Sequence, residues 1–246
     1  APVDLRAIQF LLYKFAYLVM EFPEIKEIDL NPFVIDEFGG VVLDAKVILD
    51  PDVVGKKNLK PYSHLVIPPY PRQYNKKIFL SNGQEVLFRV IRPEDEPQEK
   101  ELLDNLSSQS VYFRFFGYIP KVTHELLARY TQIDYDREMA IVAEIENDGH
   151  KQFIAVARLV FDALDSDAEF AIVVADAWQG LGLGNQIMDY LLDLGLNMGA
   201  RKIYANVLKA NRVMLHMFER RGFTITSSDY ETAFVEREYA EEPVSV

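Results

Sequence analysis

The sequence predicts a mixed α/β, or α+β, domain preceded by a small helix–hairpin piece. Three observations carry this. An apolar strand-like run, a glycine-rich turn and an amphipathic helix follow one another between Glu169 and Met198. Strand-like runs flank Asn82-Gly83 and Asn147-Asp148-Gly149, both hairpin signals, and helical patterns lie between the two hairpins. A proline-rich stretch separates this part from the first fifty residues. The boundaries expected are 1–52 for the N-terminal piece, 53–76 for a linker and 77–240 for the main domain.

The chain has 246 residues and is 49% hydrophobic, enough for one medium core and a smaller one. Its formal charge is −12, with no lysine/arginine cluster. Nucleic acid and an anionic membrane are therefore not expected as partners. The absence of cysteine excludes disulfides, a cysteine acyl-enzyme and thiolate metal sites. His64, His124, His150 and His216 are scattered without ligand spacing, so no metal is expected. No apolar run approaches the ~20 residues of a membrane span, and no signal peptide is visible. The expected location is the cytoplasm. Opening at Ala1, the chain reads as part of a longer protein.

Residues 4–21 are expected as a helix, with Asp4 as N-cap and Leu5, Ile8, Leu12, Phe15 and Val19 as a buried stripe. Strands at 28–35 and 41–49 follow, joined at Asp36 to Gly40. Residues 50–75 hold Pro51, Pro61, Pro68, Pro69 and Pro71. They read as a semi-extended linker or as a loop packed on a neighbour through Tyr62, Tyr70 and Tyr74. Beyond the first hairpin, Arg92-Pro93-Glu94-Asp95 opens a helix to Leu106. The aromatic stretch from Ser110 to Tyr118 is either a buried short helix or a loop shaping an acceptor groove. Thr123 caps a helix to Gln132, and strands follow at 139–146 and 152–161. After the central stretch come a strand at 202–207, a helix from Asn211 to Gly222, and strands at 223–226 and 232–238. The last six residues read as a loose tail.

The turn Gln179-Gly180-Leu181-Gly182-Leu183-Gly184 points several backbone N–H groups at one spot by the positive end of the helix starting near Asn185. A dinucleotide fingerprint fails, because Asn185 replaces its third glycine. An ATP P-loop fails, because no Gly-Lys-Ser/Thr follows. Gln179, Gly182 and Gly184 do fit Gln/Arg-x-x-Gly-x-Gly/Ala. The strand Ile203-Tyr204-Ala205-Asn206-Val207 follows, then Asn211 with Phe218-Glu219-Arg220-Arg221-Gly222-Phe223. Together these resemble the GCN5-related N-acetyltransferase (GNAT) superfamily over residues ~77–240. Tyr112-Phe113-Arg114-Phe115-Phe116 and the run from Thr131 to Ala140 are similar to Pat-type bacterial protein lysine acetyltransferases. Asp29-Leu30-Asn31-Pro32-Phe33 with Leu43-Asp44-Ala45-Lys46 resembles the end of the ATP-grasp domain in NDP-forming acyl-CoA synthetases, where Asn31 and Asp44 would match Mg²⁺ ligands. Without the rest of that domain the piece is expected to be a structural remnant.

The resemblance implies the GNAT fold, a mixed, mainly antiparallel sheet flanked by helices, with acetyl-CoA as co-substrate. It implies that the backbone of Gln179, Gly180, Leu181, Gly182, Leu183, Gly184 and Asn185 holds the pyrophosphate. Val173 and Val174 would pair with the pantetheine arm. Asn211 would contact the cofactor near the sulfur, or simply cap its helix. Its partner would be a protein with a target lysine, such as an AMP-forming acyl-CoA synthetase. A small-amine acetyltransferase and a non-catalytic acyl-CoA-sensing module are the alternatives. A lysine amine, with a pKa near ~10.4, needs a base near neutrality. Glu169 is the catalytic candidate, its other reading being an ordinary strand-end glutamate in solvent. Glu144 is in reserve. Where many GNAT enzymes carry a general-acid tyrosine, seven residues after the asparagine, this chain has Phe218, which cannot donate a proton. His216 lies nearby.

Overall fold

The computed structural model describes residues 5–37, 39–56, 62, 64–65, 69–117, 121–162 and 166–239. Asp4, Pro61, Pro68, Tyr118 and the C-terminal tail, all named above, lie outside them. The chain divides into two compact units, residues 1–69 and 70–246.

In the first unit, α1 (Leu5–Glu21) is followed by β1 (Ile25–Leu30), β2 (Phe33–Ile35), β3 (Gly40–Val42) and β4 (Ala45–Leu49). β1 pairs with β4 and β2 with β3, so the expected hairpin forms as two short ladders. Between them Asn31 N–H donates to Asp44 O (3.1 Å) and Leu43 N–H to Pro32 O (3.0 Å), which sets Asn31 opposite Asp44. The expected buried stripe on α1 is corrected. No residue of the helix is buried, and Leu5 and Leu12 are 67% and 61% exposed. Some fifty residues supply too few apolar partners to cover that face.

The second unit is one eight-stranded sheet. Its strands are β5 (Lys76–Phe79), β6 (Glu85–Val90), β7 (Glu138–Asn147), β8 (His150–Phe161), β9 (Asp167–Val174), β10 (Lys202–Leu208), β11 (Thr224–Ser228) and β12 (Thr232–Glu238). Their order across the sheet is β11-β12-β10-β9-β8-β7-β6-β5. Only β9–β10 is a parallel pair; every other neighbour is antiparallel. The expected mixed, mainly antiparallel sheet is thus borne out. The helices are α2 (Glu96–Asp104), α3 (Ser108–Phe115), α4 (His124–Thr131), α5 (Leu183–Asn197) and α6 (Arg212–Glu219). Residues expected as linker join this unit. The Tyr70 hydroxyl donates to Val90 O (2.7 Å), and the Tyr190 hydroxyl donates to Tyr74 O (2.8 Å).

Strand alternation divides the core between the two sheet faces. On one face Leu183, Ile187, Leu191 and Leu194 of α5 pack on Ala155, Ala157, Leu159, Ala168 and Phe170. On the other, Leu102 of α2 packs with Ala140, Val142, Phe153, Val156 and Val173. Arg89 crosses this layer, with Nη1 2.6 Å from Asp95 and Nη2 2.5 Å from Glu144.

Gly195 marks a close approach of α5 to the sheet. A Cβ there would sit 2.5 Å from Leu159 Cδ1 and 3.3 Å from Ile203 Cδ1. Gly195→Val should therefore lower stability by ~1–3 kcal/mol, the usual cost of overpacking a filled core. Urea denaturation checks this, and an unchanged midpoint would refute such close packing.

Candidate active site

β9 and β10 run side by side for only three pairs: Asp167 with Lys202, Ala168 with Ile203, and Glu169 with Tyr204. Past Glu169 the two strands have no register, while β9 continues to Val174 against β8. The sheet therefore opens along the β10 side of Phe170 to Val174. The hydrogen bonds show which groups face the opening. Asp162 N–H donates to Asp167 O (2.8 Å) and Ala175 N–H to Ile154 O (2.9 Å), so odd-numbered residues of β9 face β8. Arg201 N–H donates to Ser166 O (3.0 Å), so even-numbered residues face β10. The peptide groups of Phe170, Ile172 and Val174 thus border the opening. Of the expected Val173 and Val174, Val174 borders the opening, as does Ile172, while Val173 has its peptide groups on Val156 of β8. Alternation of one residue decides this, and a bare apolar run does not reveal its phase.

The glycine turn closes the far end of the opening. Gly180 and Gly182 have φ of 76° and 85°, which a side chain would strain. Gly182 is the N-cap of α5 and leaves the helix without a side-chain cap. By contrast Ser107, Thr123 and Asn211 cap α3, α4 and α6 with side-chain oxygens. The first-turn N–H groups of Leu183, Gly184 and Asn185 therefore lack acceptors within the helix, at its positive end. A Cβ on Gly182 would meet no protein atom within 4 Å, so the space over the turn is open. This donor set fits a pyrophosphate. Leu181 O accepts from Ser81 Oγ (3.3 Å), and Asn185 Oδ1 accepts from Arg221 Nη2 (3.0 Å). Arg221 also binds Asp189 (2.5 Å) and Met217 O (2.9 Å), tying the start of α5 to the end of α6.

Gln179 and Asn211 are both tied to neighbouring groups. Gln179 N–H closes onto Asp176 O (3.3 Å), and its side chain donates to Val174 O (3.0 Å) and Ser110 Oγ (3.2 Å). Gln179 braces the turn and offers it no free N–H. Asn211 Oδ1 accepts from Met214 N–H (3.1 Å), which is the cap reading. Phe218 is fully buried against Phe170 and Phe223, with centroids at 5.5 and 4.8 Å.

Glu169 is exposed and lies on the α2–α4 face of the sheet, one row from Arg158. Arg158 bridges Glu99 (3.3 Å) and Glu138 (2.8 Å). Burial pushes the Glu99 carboxyl above its ordinary value, against the pull of Arg158. Burial also lowers the Arg114 guanidinium, while Tyr130, Glu99 and Glu169 act the other way. Arg114 thus lies within electrostatic reach of Glu169. Glu144 is elsewhere. Glu169 lies across β8 from Glu138, and Glu144 is six residues further along β7, roughly 20 Å at ~3.3 Å per residue. It is also committed to Arg89. Sequence reasoning missed Arg158, a lone charge in the apolar run of β8, and Asp176. Asp176 binds Ser107 Oγ (2.7 Å) and Ser110 Oγ (2.8 Å), fastening α3 to the end of β9. Burial works against its charge, but these hydrogen bonds win and hold its carboxyl below the usual range.

A 330 Å³ depression lies at the closed end of the β9–β10 pair, lined by Asp167, Arg201, Lys202, Glu238 and Tyr239. It shares no residue with the glycine turn. Among the described residues no group of three or more His, Cys, Asp or Glu could hold a metal. Nor is any described helix long and apolar enough to cross a membrane.

A family model described as "Acetyltransferase (GNAT) family" matches residues 101–223, half of the chain. One described as "ATP-grasp domain" matches residues 1–49. The chain is 34% identical to an acetyltransferase of Pseudomonas aeruginosa, over 58% of this chain and 77% of that protein. It is 28% identical to the acetyltransferase Pat of Mycolicibacterium smegmatis, over 63% of this chain and 44% of that protein, so it spans less than half of Pat. The crystal structure of the GNAT domain of S. lividans PAT is 26% identical, with a TM-score of 0.63. That match covers 70% of this chain and all of that one. The opened β9–β10 pair, the uncapped α5 and these matches agree: the chain belongs to the GNAT acetyltransferase family, whose members use acetyl-CoA.

Proposed function

We propose that this protein transfers the acetyl group of acetyl-CoA directly to a lysine amine of a protein, with Glu169 as general base. The observation that carries the reading is the place of Glu169. It stands exposed at the last β9–β10 pair, where the opening ends. From Glu169 to Val174 the strand spans roughly 17 Å at ~3.3 Å per residue. With its pyrophosphate on the α5 N-terminus and its arm along Ile172 and Val174, acetyl-CoA would bring its thioester towards Glu169. The first-turn N–H groups of Gly184 and Asn185 and the free edge of β9 hold the donor. Glu169 accepts the proton of the lysine ammonium, directly or through one water. The freed nitrogen then bonds to the thioester carbon, the carbon–sulfur bond breaks with its electron pair left on sulfur, and the nitrogen passes its surplus proton to water.

A protein acceptor is favoured because Glu169 is exposed, as are Tyr112 and Phe116 of the α3 region packed on β9. Likeness to the S. lividans PAT domain, and the ATP-grasp match ahead of the GNAT domain, support the same reading. A cytoplasmic metabolic enzyme, such as an AMP-forming acyl-CoA synthetase, is the proposed target. Asn31 and Asp44 take no part. Mass spectrometry of proteins incubated with this chain and acetyl-CoA tests the acceptor class: lysine acetylation supports the reading, and acetylation of small amines alone refutes it.

For donor binding, Gly182→Val places a branched side chain in the open space over the turn at a strained φ. Gly184→Val crowds Met217 and Val174, where a Cβ would already lie at 3.5 and 3.8 Å. Both should abolish acetyl-CoA binding in calorimetry with the fold retained, and unchanged affinity would remove the assigned site. For the base, Glu169→Gln keeps size and removes basicity. Turnover should fall by ~10²–10⁴, with acetyl-CoA affinity held and partial recovery at higher pH. Near-normal turnover at neutral pH would show that Glu169 is not the base.

A further inference from the structure

Glu169 has a register partner that the chemistry above does not use. Tyr204 lies beside it on β10, and residues paired in this way present their side chains on one face of the sheet. Neighbouring strands are ~4.8 Å apart, so the two side chains are adjacent. The Tyr204 ring stacks on Phe234, centroids 5.2 Å apart and planes at 27°, which fixes its direction. It is half-buried, yet its hydroxyl makes no hydrogen bond to any described residue. That sets it apart from Tyr70, Tyr135 and Tyr190, whose hydroxyls donate to the carbonyls of Val90, Ile91 and Tyr74. Through its register with Glu169, Tyr204 stands at the last β9–β10 pair, beside the start of the opening.

The transfer step needs such a group. As nitrogen bonds to the carbonyl carbon and the carbon–sulfur bond breaks, the bonding pair stays on sulfur. Negative charge grows there inside a partly dry site, where one aligned donor has a large effect. α6 offers none at the place of Phe218, which is packed into the core. His216 is exposed and lies 3.4 Å from Glu219.

We propose that the Tyr204 hydroxyl donates a hydrogen bond to the sulfur of acetyl-CoA as the thiolate departs. This rests on the placement of acetyl-CoA and Glu169 described under the proposed function. No proton is transferred by Tyr204. Burial, reinforced by the carboxylates of Glu169, Asp162 and Asp167, holds the phenol above its ordinary value. A thiol ionises near ~8.5, below that. The phenol keeps its proton and acts as an oriented dipole. The sulfur takes its proton from solvent, and Glu169 keeps the proton of the amine.

Tyr204→Phe tests this, because it keeps the ring and its stack on Phe234 and removes only the hydroxyl. With acetyl-CoA and a pool of lysine peptides, kcat should fall about 10²-fold, the scale for one lost donor to a developing anion. KM for acetyl-CoA and for the peptides should stay near the wild-type values, as should the melting temperature. Raising the pH should leave the Tyr204→Phe deficit in place while it recovers part of the Glu169→Gln deficit. An unchanged kcat would overturn the proposal. So would a loss seen only as a higher KM for the peptides, which would make Tyr204 an acceptor-binding residue. If Glu169→Gln retains turnover while Tyr204→Phe loses kcat, the base assignment alone falls and this one stands.

Discussion

The rest of the unit depends on the parting of β9 and β10 after three residue pairs. A strand in the middle of a sheet ordinarily spends its peptide groups on both neighbours. Here Ile172 and Val174, beyond the last β9–β10 pair, face a side with no strand pairing. An unpaired peptide group in a dry place costs ~1–3 kcal/mol. Such an edge persists because its surroundings hold it apart. The Gln179 side chain takes the Val174 carbonyl. Phe170 is pinned beneath by Phe218. Arg221 clasps the start of α5 to the end of α6. The opening is thus suited to a ligand that carries its own amides, and a pantetheine arm is one.

The second constraint is electrostatic. At a net charge of −12 and without a basic cluster in the sequence, the proposed pyrophosphate site rests on backbone dipoles. Three helices near the site have side-chain caps, and α5 has none. The vacancy at Gly182 therefore has a use beyond the turn itself. Charged side chains are kept for the opposite face, where Arg158 joins Glu99 and Glu138 beneath the helices that flank Glu169. Buried ion pairs of this kind fix geometry more than they stabilise. With Asp176 fastened to Ser107 and Ser110, they set where α2 and α3 stand relative to β9.

Much of this was legible in the sequence because period and punctuation are local signals. Asn82-Gly83 and Asp148-Gly149 mark turns, Thr123 and Asn211 mark caps, and the glycine turn marks a helix expected from Asn185 and found from Leu183. What escaped depends on the third dimension. The apolar run of β9 does not reveal which alternate residues face the opening, and Val173 proves to face β8 while Ile172 faces the opening. Glu144 and Glu169 look equivalent as lone acids on strands, and only register separates them by most of a strand length. The stripe on α1 has helical spacing, but spacing cannot supply the partner that would bury it. Tyr204 was visible as part of a strand motif, while its neighbour Glu169 is given by a parallel pairing between strands more than thirty residues apart.

The central claim is that acetyl-CoA lies along the β10-facing edge of β9. Amide hydrogen exchange, resolved residue by residue with and without acetyl-CoA, tests it most directly. Protection should rise at Ile172, Val174, Gly184 and Asn185, and stay unchanged at Val173, whose amide already faces β8. Added protection at Val173 alone, or confined to Asp167, Lys202 and Glu238 at the closed end of the pair, would contradict the account.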